Sequence, residues 1–357
     1  MEVSKEFWAG KRVLVTGHTG FKGSWLCLWL TMLGARVTGY ALAAQTQPNL
    51  FEQADVGRDM LSIVGDVRDM SALHTAFEKS DPQIVMHLAA QSLVRQSYAE
   101  PASTYDINVM GTVNVLEAVR ACKSVRCVVV VTSDKCYENL EDGVARIESD
   151  RLGGRDPYSN SKACAELVTD AYRRTYFASS QSPQIATARA GNVVGGGDWA
   201  SERLVPDLIR ALMCGDCAQI RNPRATRPWQ HVLDPLCGYL SLAERAYSTD
   251  ANVSRAWNFG PQEEGVSVST IADMLCSLWG EGASWQHVES DSPLHEARTL
   301  ALNAEAANTH LGWKAKLSVR ETIGLTASWY QSYARDVKSA RSLTELQIRQ
   351  FMRRPAP

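Results

Sequence analysis

A tyrosine and a lysine stand four residues apart in Tyr158-Ser159-Asn160-Ser161-Lys162. On a helix that spacing puts both side chains on one face. A phenol titrates near pH 10, and a neighbouring ammonium helps it act as a base at neutral pH. Ser133-Asp134-Lys135 sets a hydroxyl, a carboxyl and an amine in consecutive positions. The two clusters together could move protons at a carbinol and at an acidified carbon. Each has a plainer explanation: Tyr158 and Lys162 as a solvated helix surface, Asp134 and Lys135 as an ion pair on a loop.

Context favours the chemistry. Thr16-Gly17-His18-Thr19-Gly20-Phe21-Lys22-Gly23 spaces its glycines as G-x-x-G-x-x-G. A β-branched run, Arg12 to Thr16, precedes it, and the apolar stretch Ser24 to Leu33 follows. In a strand-turn-helix the absent side chains admit a pyrophosphate to the backbone, and the helix N-terminus offers free N–H groups. A dinucleotide cofactor is expected on Gly17, Thr19, Gly20, Phe21, Lys22 and Gly23. The second strand ends Gly39-Tyr40-Ala41-Leu42, with no carboxylate to grip the ribose hydroxyls. No arginine lies between Tyr40 and Gln45 to receive a 2′-phosphate, so NAD is favoured over NADP. Asp66-Val67, after the third strand, either meets the adenine or marks a helix-entry turn.

Strands are expected at Arg12 to Thr16, Arg36 to Tyr40, Ser62 to Gly65, Gln83 to Leu88, Cys127 to Thr132 and Ile185 to Arg189. Helices are expected over Ser71 to Lys79 with Asp69 as cap, within Pro101 to Cys122, and from Asp156-Pro157 onward. The alternation predicts an α/β fold with a Rossmann-type, doubly wound parallel sheet. Ser133 then falls at the carboxyl edge of the sheet, where ligands bind. After residue 190 the pattern loosens. Leu204 to Cys214, Val268 to Trp279 and Ala304 to Leu311 read as helices, and Trp257 to Gly260 as a strand returning to the sheet. The division expected is a dinucleotide domain of 1–190 plus about 231–262, a smaller discontinuous lobe of about 191–230 plus 263–340, and a partly ordered tail at 345–357.

Composition narrows the setting. Of 357 residues, 45% are hydrophobic and 21% charged, an ordinary globular balance. The formal charge of −2 gives a nucleic-acid surface no global support. No apolar run reaches the roughly 20 residues of a membrane helix. The opening residues carry Glu2 and Glu6 and show no apolar signal region. Nine cysteines, several within apolar runs, suggest reduced thiols in the cytoplasm. Cys214-Gly215-Asp216-Cys217 lacks a second pair at metal spacing, so no metal is expected. His18 and His87 read as packing residues, and Trp25 with Trp29 as core.

Gly17/Gly20/Gly23, His87-Leu88-Ala89-Ala90, Ser133 and Tyr158/Lys162 together resemble the extended short-chain dehydrogenase/reductase superfamily. The likeness runs to about Gly312-Trp313. It implies a nucleotide-sugar substrate and an NAD site that also draws on Asp66, Val67, Leu88, Ala89, Ala90, Asn108 and Thr132. Where sugar-nucleotide 4,6-dehydratases carry Thr-Asp-Glu, this chain has Ser133-Asp134-Lys135. With Trp8-x-Gly10-Lys11 and Phe21-Lys22-Gly23-Ser24-Trp25, that resembles the dehydratase branch acting on CDP-glucose in deoxysugar and lipopolysaccharide O-antigen synthesis. The branch's chemistry implies Tyr158 as base at carbon 4, Lys135 as base at carbon 5 and Asp134 as acid toward the carbon 6 hydroxyl.

Arg221-Asn222-Pro223-Arg224-Ala225-Thr226-Arg227 concentrates guanidinium groups suited to a diphosphate. The resemblance assigns nucleotide contacts to Arg227, in R-x-W-x-x-V-x-D with Trp229 and Asp234, and to Arg298, in His295-Glu296-Ala297-Arg298. It assigns a phosphate or sugar contact to Asn192. Gln91, Ser92, Arg95, Gln96 and Tyr98 follow the fourth strand in a loop that could line the sugar pocket. It further implies a homodimer, through Pro101–Cys122 and Pro157–Phe177, or a homotetramer. A 4-epimerase, a dehydratase for another nucleotide sugar and a non-catalytic nucleotide sensor are the competing functions. An epimerase would have no use for Asp134 or Lys135, and a sensor no use for intact Ser133, Tyr158 and Lys162.

Overall fold

Seven apolar, β-branched runs pair into one sheet: β1 (Arg12–Thr16), β2 (Arg36–Ala41), β3 (Leu61–Val64), β4 (Ile84–His87), β5 (Cys127–Val131), β6 (Gln184–Ala190) and β7 (Ala256–Phe259). The computed structural model describes residues 3–248, 253–263, 265–289 and 297–355. Every pairing is parallel, in the order β7-β6-β5-β4-β1-β2-β3. The chain reverses direction across the sheet between β1 and β4, where Thr16 lies beside His87. Their carboxyl ends therefore open a crevice at the switch point.

Alternation along the strands splits the core into two layers. Val13, Val15, Ile84, Met86 and Val129 pack on one side with Trp25, Leu26 and Trp29 of the helix Phe21–Met32. Leu14, Val85, Val128 and Val130 pack on the other with Leu73, Phe77 and Leu116. Both faces are covered, as a parallel sheet requires. The expected helix starts are observed: Asp69 Oδ1 accepts from Ala72 N–H at 3.0 Å, and Asp156 Oδ1 accepts from Ser159 N–H at 2.9 Å. The helices at Leu204–Cys214 and Val268–Trp279 also match the pattern. Among the described residues no helix is long and apolar enough to cross a membrane.

Three expectations need correction. Pro101 to Cys122 is not uniform α-helix: Asp106–Met110 is a π turn between Pro101–Tyr105 and Gly111–Ala121. Ala304 to Leu311 likewise ends in a π turn, Ala307–Leu311. The 345–357 tail is ordered through residue 355, most of it within the helix Ala340–Met352. Its basic composition masks a buried stripe of Ala340, Ile348 and Phe351. Phe351 meets Trp29 edge-on at 5.7 Å, and Trp329 Nε1–H donates to Thr344 Oγ1 at 3.1 Å.

Candidate active site

The glycine loop is shaped by three different constraints. Gly17 has φ +77, and a Cβ there would lie 2.7 Å from Ala89 N. A Cβ on Gly23 would lie 2.1 Å from the Gly17 carbonyl oxygen. The protein itself thus demands glycine at both. At Gly20 an added Cβ would meet only the Gly17 oxygen, at an ordinary 3.4 Å. That side faces open space in the crevice, which fits close approach by a pyrophosphate. His18 packs against Gly39 and bonds Ser62 Oγ at 2.7 Å through Nε2. Burial lowers it to about 4, against a bond from the Tyr40 backbone. His87 lies between Thr16 Oγ1 at 2.7 Å and Thr112 Oγ1 at 3.1 Å, and burial followed by the Lys162 charge lowers it to about 3. Both histidines are neutral packing groups.

One cavity of about 860 Å³ runs from this loop past the strand ends to the chain beyond β6. It is lined by Gly17, Thr19, Gly20, Phe21, Lys22, Gly23, Asp66, Val67, Leu88, Ala89, Ala90, Thr132, Ser133, Lys135, Tyr158 and Lys162. Asp66 lies at the margin with its carboxylate held by Arg68 at 2.6 Å. Thr132 lines the wall, but its hydroxyl turns into the sheet to donate to Glu166 Oε1 at 2.5 Å. Asn108 is outside the lining. The π turn aims it at Gln91, whose N–H it accepts at 2.8 Å, and at Ser161 Oγ, to which it donates at 2.8 Å.

Tyr158 and Lys162 share the buried face of the helix Pro157–Thr175. Burial pushes the phenol up to about 12; a Ser133 hydrogen bond opposes the rise and Asp134 adds to it. Lys162 donates to the Val131 carbonyl at 3.3 Å, and burial lowers it to about 8. Lys22 is lowered to about 7, chiefly by burial and then by repulsion from Arg203 and Lys162. Four cationic side chains, with Lys135, therefore gather in a chain of slight negative charge. Such a cluster suits diphosphate-bearing ligands. After β5 the chain makes a tight turn, Asp134–Cys136. Ser133 Oγ–H donates to Asp134 Oδ1 at 2.9 Å, and Lys135 Nζ lies 3.5 Å from the same oxygen. Lys135 reaches the cavity. Asp134 sits behind it, lining a second space of about 10 Å³ under the 138–146 loop, with Oδ2 buried and without a partner among the described residues.

The far end of the cavity takes Gln91, Ser92, Arg95, Asn192, Arg221 and Arg227. Gln91 spends its side chain on Leu93 and Thr104. Arg95 and Arg221 both face Glu202, at 3.0 and 3.6 Å. Asn192 Oδ1 is buried without a partner among the described residues, as an atom awaiting a donor would be. Arg298 is exposed and outside the lining; its backbone carbonyl accepts from Thr226 N–H at 2.9 Å. His295 and Glu296 lie outside the described residues. Trp229 lines the cavity, whereas Asp234 is buried beneath it and accepts from Lys316 N–H at 2.6 Å.

A model of the GDP-mannose 4,6 dehydratase family matches residues 14–326. A CDP-glucose 4,6-dehydratase from Salmonella typhimurium is 48% identical over 338 residues, covering 93% of this chain and 94% of that one. The chain belongs to this dehydratase family. The resemblance drawn from the motifs is borne out at that level. The epimerase Mth375 of Methanothermobacter thermautotrophicus has a TM-score of 0.81 at 23% identity, covering 94% of this chain and 97% of its own. DesIV, a dTDP-glucose 4,6-dehydratase from Streptomyces venezuelae solved with NAD and TYD bound, has a TM-score of 0.77 at 24% identity, covering 90% and 97%. These two likenesses show the fold.

Two residues at or beside the cavity escaped the motif reading. Arg203 lines the cavity, pairs with Asp198 at 3.0 Å and donates to Ser92 Oγ at 2.8 Å. Nothing local distinguishes it from a helix-start charge. Glu166, on the buried face of the Tyr158 helix, did carry a signal, a carboxylate one turn beyond Lys162 among apolar neighbours.

Proposed function

We propose that the chain is an NAD-dependent CDP-glucose 4,6-dehydratase, a lyase that yields CDP-4-dehydro-6-deoxy-D-glucose for deoxysugar synthesis. The observation that carries this reading is the Lys135 amine in the same cavity as Ser133, Tyr158 and Lys162, next to the glycine loop. An amine there has no task in simple epimerisation. The identity to the Salmonella dehydratase supports cytosine as the base.

The glycine loop, Lys22 and Lys162 would hold NAD, which would supply a hydride acceptor at carbon 4 of the sugar and a hydride donor at carbon 6. Tyr158, as a phenolate stabilised by Lys162 and Ser133, takes the proton of the carbon 4 hydroxyl and becomes a phenol. The ketone acidifies the carbon 5 proton, which Lys135 removes. Asp134 supplies the proton that leaves with the carbon 6 hydroxyl, relayed from behind the cavity wall by its contacts with Ser133 and Lys135. Water departs, carbon 5 is reprotonated, and the oxidation state of the cofactor is restored. Arg227, Arg221 and Asn192 hold the nucleotide end, in the lobe formed by about 191–230 and 263–340.

A cytoplasmic setting accords with nine free cysteines. Exposed Met110 and Leu167, on the neighbouring helices expected at the interface, support assembly with further copies of this chain. Sedimentation should give the mass of two or four chains; a single-chain mass would contradict that assembly. Incubation with CDP-glucose should generate the alkaline absorbance of a 4-keto-6-deoxy sugar. An epimerised sugar without that product, or an inert protein, would overturn the assignment.

A further inference from the structure

Beneath the site lies a buried ion pair that the proposed chemistry does not use. Glu166 and Arg189 are each 3% exposed, with Arg189 Nη2 2.8 Å from Glu166 Oε2. Burying such a pair is costly unless its remaining lone pairs and N–H groups find partners. Glu166 also accepts from Thr132 Oγ1 at 2.5 Å and from Thr187 Oγ1 at 2.6 Å. Arg189 Nη1 donates to Tyr137 Oη at 2.7 Å, and the guanidinium lies 4.8 Å over the Tyr137 ring. Tyr137 Oη–H in turn donates to Asn258 Oδ1 at 2.7 Å. Thr132 and Tyr137 flank Ser133–Cys136. One carboxylate thus holds both ends of the catalytic turn, directly at Thr132 and through Arg189 at Tyr137. It also stands one helical turn beyond Lys162 on the same face.

We infer that Glu166 is a positioning residue that couples the Tyr158–Lys162 pair to the Ser133–Lys135 turn. Lys162 is surrounded by Glu166 on its own helix, Cys136 on the turn, Lys22 on the helix Phe21–Met32 and neutral His87 on β4. Burial disfavours its charge, and Glu166 is the first group to oppose that. Burial would raise the Glu166 carboxyl, but Arg189 and the two threonine hydroxyls hold it below the ordinary range. It therefore remains charged and keeps Lys162 protonated, and a protonated Lys162 favours the Tyr158 phenolate.

The inference rests on Tyr158 as the base, so the deciding readout is independent of turnover. Lysine side-chain resonances are titrated by NMR in the full chain and in Lys162→Met, and the difference isolates Lys162. In Glu166→Gln the Lys162 ionisation should move below its parent value of about 8, and Glu166→Asp should restore it toward the parent. At pH 7 kcat on CDP-glucose should fall roughly tenfold, with KM nearly unchanged. Because Glu166→Gln strands a buried guanidinium, the double variant Glu166→Gln/Arg189→Gln is measured beside it and should show the same direction of shift. A folded single or double variant whose Lys162 titrates as in the parent, with loss confined to melting temperature, would overturn the inference. A parent that forms no keto sugar would overturn the substrate assignment instead, while the titration still decides the role of Glu166.

Discussion

Tyr158→Phe removes one oxygen and keeps the ring that packs behind Ser133. Proton transfer by a positioned side chain contributes about 10²–10⁴-fold, so kcat should fall by at least roughly 100-fold while the melting temperature holds. Stopped-flow turnover and a thermal melt check both halves. Lys22 gives a pH signature. Its folded value of about 7 lies below the ordinary lysine range, so it is charged below that pH and neutral above it. An anionic dinucleotide is favoured by the charged form. NAD affinity, read by calorimetry, should weaken as pH rises from 6 to 9, with Lys162 at about 8 adding to the fall. Lys22→Met should flatten the slope near pH 7. A parent affinity that is level across this range would contradict the cationic cluster. At this scale the sequence was legible where chemistry demands short spacing: the glycines, Tyr158 with Lys162, and Ser133-Asp134-Lys135. Arg203 was not, because its meaning lies in contacts across the fold, and Glu166 showed only its spacing from Lys162. The placement of Asp134 behind Lys135 could not be read either, since a turn can aim adjacent side chains to opposite sides of a wall.

Among the elements, the strands and the helices of the first half follow from apolar runs punctuated by glycine and capping carboxylates. The π turn at Asp106–Met110 left no trace in that pattern, because the apolar residues around it still meet the core. Its product is Asn108, turned inward to bond both the N–H and the carbonyl of Gln91, at 2.8 and 3.0 Å. Asn108→Ala should leave these groups without partners and destabilise the protein by about 1–3 kcal/mol, measured by urea unfolding. An unchanged midpoint would mean the π turn does not depend on that side chain.

For the whole molecule, the parallel sheet and its switch point were legible from strand and helix alternation. The C-terminal helix was not, because charge counts dominated the reading of residues 345–357. Its apolar stripe closes the core over Trp29, so Phe351→Ala should cost about 3–5 kcal/mol. Urea unfolding checks this, and a loss below about 1 kcal/mol would place the helix outside the cooperative core. The wider account joins redox chemistry at one carbon to water loss at another within a single cavity. CDP-glucose deuterated at carbon 4 tests that union most directly. The account predicts a 4-keto-6-deoxy product carrying the label at carbon 6, with a solvent-derived hydrogen at carbon 5. Label washed into solvent, or retained at carbon 4 of an intact hexose, would contradict it.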